Sequence, residues 1–199
     1  SYRHQHVVFC LNNKYDFKRL PQLDGYAYWP VADAYRIRLR PAVVGIVIDK
    51  KSKKELFTIA GLHLKARDTH SQTRMNQVNE LITLIKKNKN LPPFVVLGDF
   101  NTHSAQETGR RSSDLTYLKY AFAKVDMEWA RHYQENTFRL PEVSFQFDHI
   151  FTQSGIRAYS TKVKGPCNNK ERGDRFQDFQ FYNRFISDHC PVSTRLHGQ

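Results

Sequence analysis

Apolar residues along this chain fall into short unbroken runs, interrupted by two stretches where they recur at helical spacing. Phe94-Val95-Val96-Leu97 follows a Pro92-Pro93 pair and runs into Gly98-Asp99-Phe100-Asn101. Four apolar residues in a row predict a strand buried on both faces, which delivers a carboxylate and an amide to its carboxyl end. Open α/β sheets bind their ligands at that edge. Three further strand-like runs carry reactive residue types: Leu56–Lys65 with His63, Ser144–Thr152 with Asp148, and Phe185–Leu196 with Asp188 and His189. Ala42–Ile48 reads as another apolar strand, joined to the next by the charged hairpin tip at 49–55. Val7–Cys10 reads as a short strand, Asn12-Asn13-Lys14 as a turn, and residues 17–35 as irregular aromatic sequence.

Met75, Val78, Leu81, Ile82 and Ile85 repeat at helical spacing and predict a helix from Ser71 to about Lys87, stopped by the prolines. Leu115, Leu118, Phe122 and Val125 predict a second helix. Thr137–Leu140 reads as a strand, and residues 165–184 as a long polar loop. Tyr35–Arg40 alternates so that Arg36, Arg38 and Arg40 share one strand face, either solvated or lying along a phosphate track. No linker-like or repeated segment divides the 199 residues, so residues 1–199 are expected to form one domain with a sizeable core.

The formal net charge of +12 favours a polyanionic partner, nucleic acid or an anionic membrane surface. No apolar run is long enough to span a bilayer as a helix, and Ser1 does not open a signal peptide. Three cysteines, Cys10, Cys167 and Cys190, are too few for a disulfide scaffold and form no zinc pattern. A Cys167 bridge to Cys190 or Cys10 would point to a secreted or periplasmic protein; three free thiols would suit the cytosol.

Asp99 and Asp188 offer the hard oxygens that Mg²⁺, Mn²⁺ or Ca²⁺ takes. Asn101 can orient a water or donate to a phosphate without adding charge. His63 and His189 can move protons near neutral pH, and Asp148 could fix the tautomer of His189.

These residues resemble the endonuclease/exonuclease/phosphatase superfamily, which includes deoxyribonuclease I and abasic-site endonucleases. The resemblance rests on Gly61-Leu62-His63-Leu64-Lys65-Ala66, Gly98-Asp99-Phe100-Asn101, Phe147-Asp148-His149-Ile150-Phe151 and Ser187-Asp188-His189-Cys190-Pro191-Val192, and covers roughly residues 42–196. It implies a four-layer α/β sandwich, two packed mixed sheets flanked by helices. It also implies a catalytic set of His63, Asp99, Asn101, Asp148 and His189, and a metal set of Asp99, Asn101 and Asp188. His189 would be the general base held by Asp148, and His63 would contact the scissile phosphate.

The superfamily's metal-binding Glu on an early strand has no counterpart, since the first glutamate is Glu55. The expectation is that the sequence begins downstream of that strand. The isolated 199 residues would then be weak or inactive, with a second chain as another source of the missing strands. The function expected is metal-dependent hydrolysis of nucleic-acid phosphodiesters, DNA before RNA, with Arg36, Arg38, Arg110 and Arg111 as backbone contacts. The alternatives are a lipid or inositol-phosphate phosphoesterase and a catalytically inactive binding protein on the same fold.

Overall fold

The computed structural model of the chain describes residues 9–24, 40, 42–104, 113–132, 136–139, 144–164, 167 and 189–198. Its centre is a six-stranded mixed sheet in the order β1-β2-β3-β4-β8-β5, built from β1 (Tyr15–Arg19), β2 (Val43–Asp49), β3 (Glu55–His63), β4 (Phe94–Asp99), β8 (Asp148–Gln153) and β5 (Met127–Trp129). Two smaller antiparallel pairs accompany it: β6 (Phe138–Arg139) with β7 (Ser144–Phe145), and β9 (Ile156–Val163) with β10 (Val192–Gly198). β3 and β4 run parallel, connected by helix α1 (Ser71–Lys87). Helix α2 (Asp114–Ala123) leads from β4 towards β5. This is the expected α/β sandwich, of which the described residues show the helical layer, the large mixed sheet and the small sheet.

The apolar pattern of β4 explains the layering. Phe94 and Val96 join the main core with α1 residues Val78, Leu81, Ile82 and Ile85 and α2 residues Leu118 and Phe122. Val95 and Leu97 point the opposite way and pack with Ile150, Ile156, Val192 and Leu196 beneath the small sheet. The strand is therefore buried on both faces, as its unbroken apolar run predicts. α1 ends at its two lysines, and the Asn88 N–H returns to Leu84 and Ile85 carbonyls before Pro92. α2 is capped by Ser113, whose side chain accepts the Thr116 N–H at 3.2 Å.

Several expectations need correction. Of the expected strand Val7–Cys10, Val7 and Val8 lie outside the described residues and Phe9 and Cys10 are in no strand; the first strand is Tyr15–Arg19, whose last three residues fall in the stretch read as irregular. Phe17 lays its ring over Gly45, where a Cβ would meet it at 2.3 Å, so this strand packs through one aromatic. The run Ser144–Thr152 is broken after Phe145, because the Phe147 and Asp148 N–H groups donate to Thr137 Oγ1, both at 2.9 Å, in place of ladder partners. The last strand begins at Val192, and His189 forms an isolated bridge with Phe138. β5 and β9 were not foreseen.

Gly98 is required by the close approach of β3 and β4. Its φ is +138°, and a Cβ there would lie 2.0 Å from the Leu62 carbonyl oxygen. Backbone cannot yield as a side-chain tip can. Gly98→Ala is expected to lower unfolding free energy by about 2–4 kcal/mol, strain and overpacking together, measurable by denaturant titration.

Candidate active site

Strand register assembles the site. His63, the last residue of β3, is the Cα partner of Asp99, the last of β4, and Asp99 is the partner of Asp148, the first of β8. Directly paired residues project from the same face of a sheet. Alternation along β4 and β8 puts Asp99 and Asp148 on the face that Val95, Leu97 and Ile150 turn towards the small sheet. The site therefore opens where the two sheets part.

The fourth member arrives from the approach to β10. His189 Nδ1 lies 2.8 Å from Asp148 Oδ2. An ionised carboxylate can only accept, so Nδ1 carries the proton and Nε2 is left as the basic nitrogen. That Nε2 is 3.8 Å from Asp99 Oδ2, and His63 Nε2 approaches the same oxygen at 3.2 Å. Phe138 and Phe147 wall the His189 ring, with centroids 5.1 and 6.2 Å away. Asn101 is buried with φ +48°, a conformation asparagine tolerates better than most residues. Its N–H donates to Asp99 Oδ1 at 2.8 Å and its Nδ2 to the Leu64 carbonyl at 3.1 Å.

Electrostatics drive the central pair towards neutrality. Burial, then the nearby Asp148 charge, raises the Asp99 carboxyl to about 7, against smaller opposing effects of His189, the Asn101 N–H and Arg40. Burial, then Arg40 and His189, lowers His63 to about 4. Both shifts disfavour charge on the two groups that meet at 3.2 Å.

A cation entering beside Asp99 would relieve the repulsion from Asp148 and reverse this logic, which fits a hard divalent ion at that carboxylate. Among the described residues, however, no group of three His, Cys, Asp or Glu is placed to hold a metal. Asp188 lies outside the described residues, as do Arg36, Arg38, Arg110 and Arg111. The structure thus brings together His63, Asp99, Asn101, Asp148 and His189.

Sequence reasoning missed two supports. Arg40, grouped with Arg36 and Arg38 by alternation alone, is the arginine whose charge acts on Asp99 and His63. Thr137 ties the dyad together: its hydroxyl holds the Asp148 N–H, and its carbonyl accepts the Cys190 N–H at 2.7 Å. Cys190 is in turn disulfide-bonded to Cys167, both buried, while Cys10 is free and exposed.

Beneath the Asp99–Asp148 pair, on the helix-facing side, lies a buried imidazole pair. His149 and His132 stack with centroids 5.6 Å apart. The Thr102 hydroxyl donates to the Gln146 carbonyl, so it accepts from His149 Nε2, 2.9 Å away. His149 Nδ1 is buried without a partner among the described residues. Burial, then the neighbouring His132, lowers His149 to about 3.

The chain matches the endonuclease/exonuclease/phosphatase family over residues 13–189. Solved structures share its fold. An endonuclease/exonuclease/phosphatase from Bacteroides vulgatus is 18% identical with a TM-score of 0.57, over 94% of this chain and 66% of its own. D. rerio TDP2 complexed with a single-strand DNA product is 15% identical with a TM-score of 0.57, over 92% and 66%. A Bacteroides thetaiotaomicron mannosyl-6-phosphatase is 16% identical with a TM-score of 0.53, over 93% and 78%. The chain spans 57%, 56% and 66% of the length of three such structures, less than two thirds in each. No curated protein matched by sequence. No helix among the described residues is long and apolar enough to cross a membrane.

The imidazole pair yields an acid-stability prediction. A histidine lowered from 6.5 to about 3 stays neutral in the fold while the unfolded chain takes up its proton. Stability is lost as pH falls below the unfolded value and continues to fall towards pH 3. Between pH 7 and pH 5 His149 is expected to cost about 2 kcal/mol. His63 acts in the same direction, and the raised Asp99 opposes it between about 7 and 3.8. Comparing wild type with His149→Gln by urea titration at the two pH values isolates the His149 share; parallel losses would refute it.

Proposed function

This chain belongs to the endonuclease/exonuclease/phosphatase family, and we propose that it hydrolyses phosphodiester bonds of nucleic acid, DNA in preference to RNA, with a divalent cation. The observation that carries the reading is the Asp148–His189 contact of 2.8 Å, with His189 Nε2 turned towards Asp99 and His63. That arrangement suits removal of a proton from water: Asp148 fixes the ring and stabilises the imidazolium that forms. The hydroxide attacks phosphorus opposite the leaving oxygen. His63, neutral at rest, donates an N–H to a phosphoryl oxygen. The substrate's negative charge raises its basicity, so His63 takes up a proton from solvent as the substrate binds and passes that proton to the leaving oxygen. Arg40 adds a positive charge beside both.

Asp99, Asn101 and Asp188 are the oxygen donors proposed for Mg²⁺ or Mn²⁺, with Ca²⁺ as a further occupant. A bound cation would neutralise charge building up on the phosphoryl oxygens.

The net charge of +12 supports a polyanionic substrate, with Arg36, Arg38, Arg110 and Arg111 as backbone contacts. The Cys167–Cys190 bridge supports an exported protein, secreted or periplasmic.

Joined to a strand that supplies the family's metal-binding Glu, the chain is expected to nick plasmid DNA in Mg²⁺ or Mn²⁺ and to stop on chelation, whereas the 199 residues alone are expected to be weak or inactive. His189→Ala and Asp99→Ala should each lose at least about a hundredfold. Full activity in both variants refutes the assignment. Phosphate release from a phospholipid or inositol phosphate without nicking would replace the nuclease by the other enzyme.

A further inference from the structure

The segment between β3 and α1 is held in place more firmly than a connecting loop requires. Five described non-glycine residues have positive φ: Lys53, Asn101, Asp126 and Ser160 between 48° and 59°, and Arg67 at 77°. Arg67 has ψ 145°, which puts it near a region occupied almost only by glycine. Glycine would relieve that backbone, yet the chain carries an exposed arginine there.

What enforces the conformation is a buried ion pair. Arg74 and Asp114 are 2.5 Å apart with side chains only 3% and 5% exposed. The same guanidinium donates to the carbonyl oxygens of Lys65 at 3.0 Å and Arg67 at 2.5 Å. The side chain of Gln77, fully buried, accepts the Lys65 N–H at 3.0 Å. Asp114 is itself held by Ser71 and by the His103 N–H. A desolvated pair of this kind is costly to bury and costly to break, and here it fixes the path of one short segment.

That segment starts in the active site. The Leu64 N–H donates to the Asp99 carbonyl at 2.8 Å, and the Leu64 carbonyl accepts from Asn101. Arg67 follows His63 by four residues, so its Cα lies within about 14 Å of that of His63. Lys65, Arg67 and Arg74 all lie within electrostatic reach of His70, with Asp68 the one opposing charge acting on it.

We propose that the Lys65–His70 segment is a second phosphate-binding subsite, in which Arg67, assisted by Lys65, holds the phosphodiester flanking the one being cleaved. Arg74 is its positioning residue. The proposal rests on the nucleic-acid reading above and narrows it to substrates with at least two phosphates.

The test is equilibrium binding of a short fluorescein-labelled single-stranded oligodeoxynucleotide in chelator, which stops turnover, over a range of salt concentrations. Arg67→Gly should bind roughly tenfold more weakly at 0.1 M salt and flatten the log–log salt slope by about one unit. It should melt no lower than wild type, because the backbone is relieved. Arg67→Lys, which keeps the charge, should retain most of the slope. An unchanged slope in Arg67→Gly overturns the subsite, and so does a lowered melting temperature, which would make the side chain structural. If the wild type binds with the expected slope but does not cleave in Mg²⁺, the subsite stands and the nuclease reading fails. If cleavage persists while the Arg67→Gly slope is unchanged, the subsite fails alone.

Discussion

The arrangement of the site depends on one register: His63, Asp99 and Asp148 are paired across three neighbouring strands. A one-residue slip of β4 would turn Asp99 to the helix-facing side and bring an apolar neighbour into the site. The register is specified twice over. Val95 and Leu97 must meet the small sheet while Phe94 and Val96 meet the helices. Gly98, one residue before the carboxylate, is the residue that lets β4 pass the Leu62 carbonyl. The cost of this arrangement falls on Asp99, a buried carboxyl beside a second carboxylate. Carboxyls shifted in this way cluster at functional sites.

Around the strand ends, polar contacts replace apolar packing. Thr137 serves as acceptor for the Asp148 N–H and, through its own carbonyl, for the residue after His189. The Cys167–Cys190 bridge closes a separation of 23 residues beside that histidine. By loop entropy such a bridge adds about 3 kcal/mol, and it restrains a region with a small apolar cluster of its own, Val163, Cys167 and Cys190. On the other side the Arg74–Asp114 pair fixes the chain leaving His63. The two histidines are thus supported by different devices, one covalent and one ionic.

Much of this was legible in the sequence, for identifiable reasons. The strands holding Val96, Ala60 and Phe151 and the helix holding Leu81 have strong periodicity because each is buried in the main core. The site residues His63, Asp99, Asn101, Asp148 and His189 stood at the ends of such runs. Tyr15–Arg19 was missed because it is an edge strand, mostly exposed, that packs on its neighbour by laying the Phe17 ring over a glycine. Ile156–Val163 was missed because its fully buried residues are its two ends, Ile156 and Val163, leaving no alternation to read. The break at Gln146-Phe147 depends on a hydroxyl from Thr137, a contact with no local signal. Arg40 could not be told apart from Arg36 and Arg38 by pattern, since what distinguishes it is its proximity to Asp99.

The central claim is that Asp148 acts on water through His189, and Asp148→Asn tests it with the least disturbance of shape. The measurement is single-turnover cleavage of an oligonucleotide in Mg²⁺, compared with wild type, alongside the melting temperature. Asparagine can still meet Nδ1 but no longer stabilises the imidazolium, so the rate should fall by at least about a hundredfold with melting little changed. Cleavage at the wild-type rate by a correctly folded Asp148→Asn protein would contradict the account.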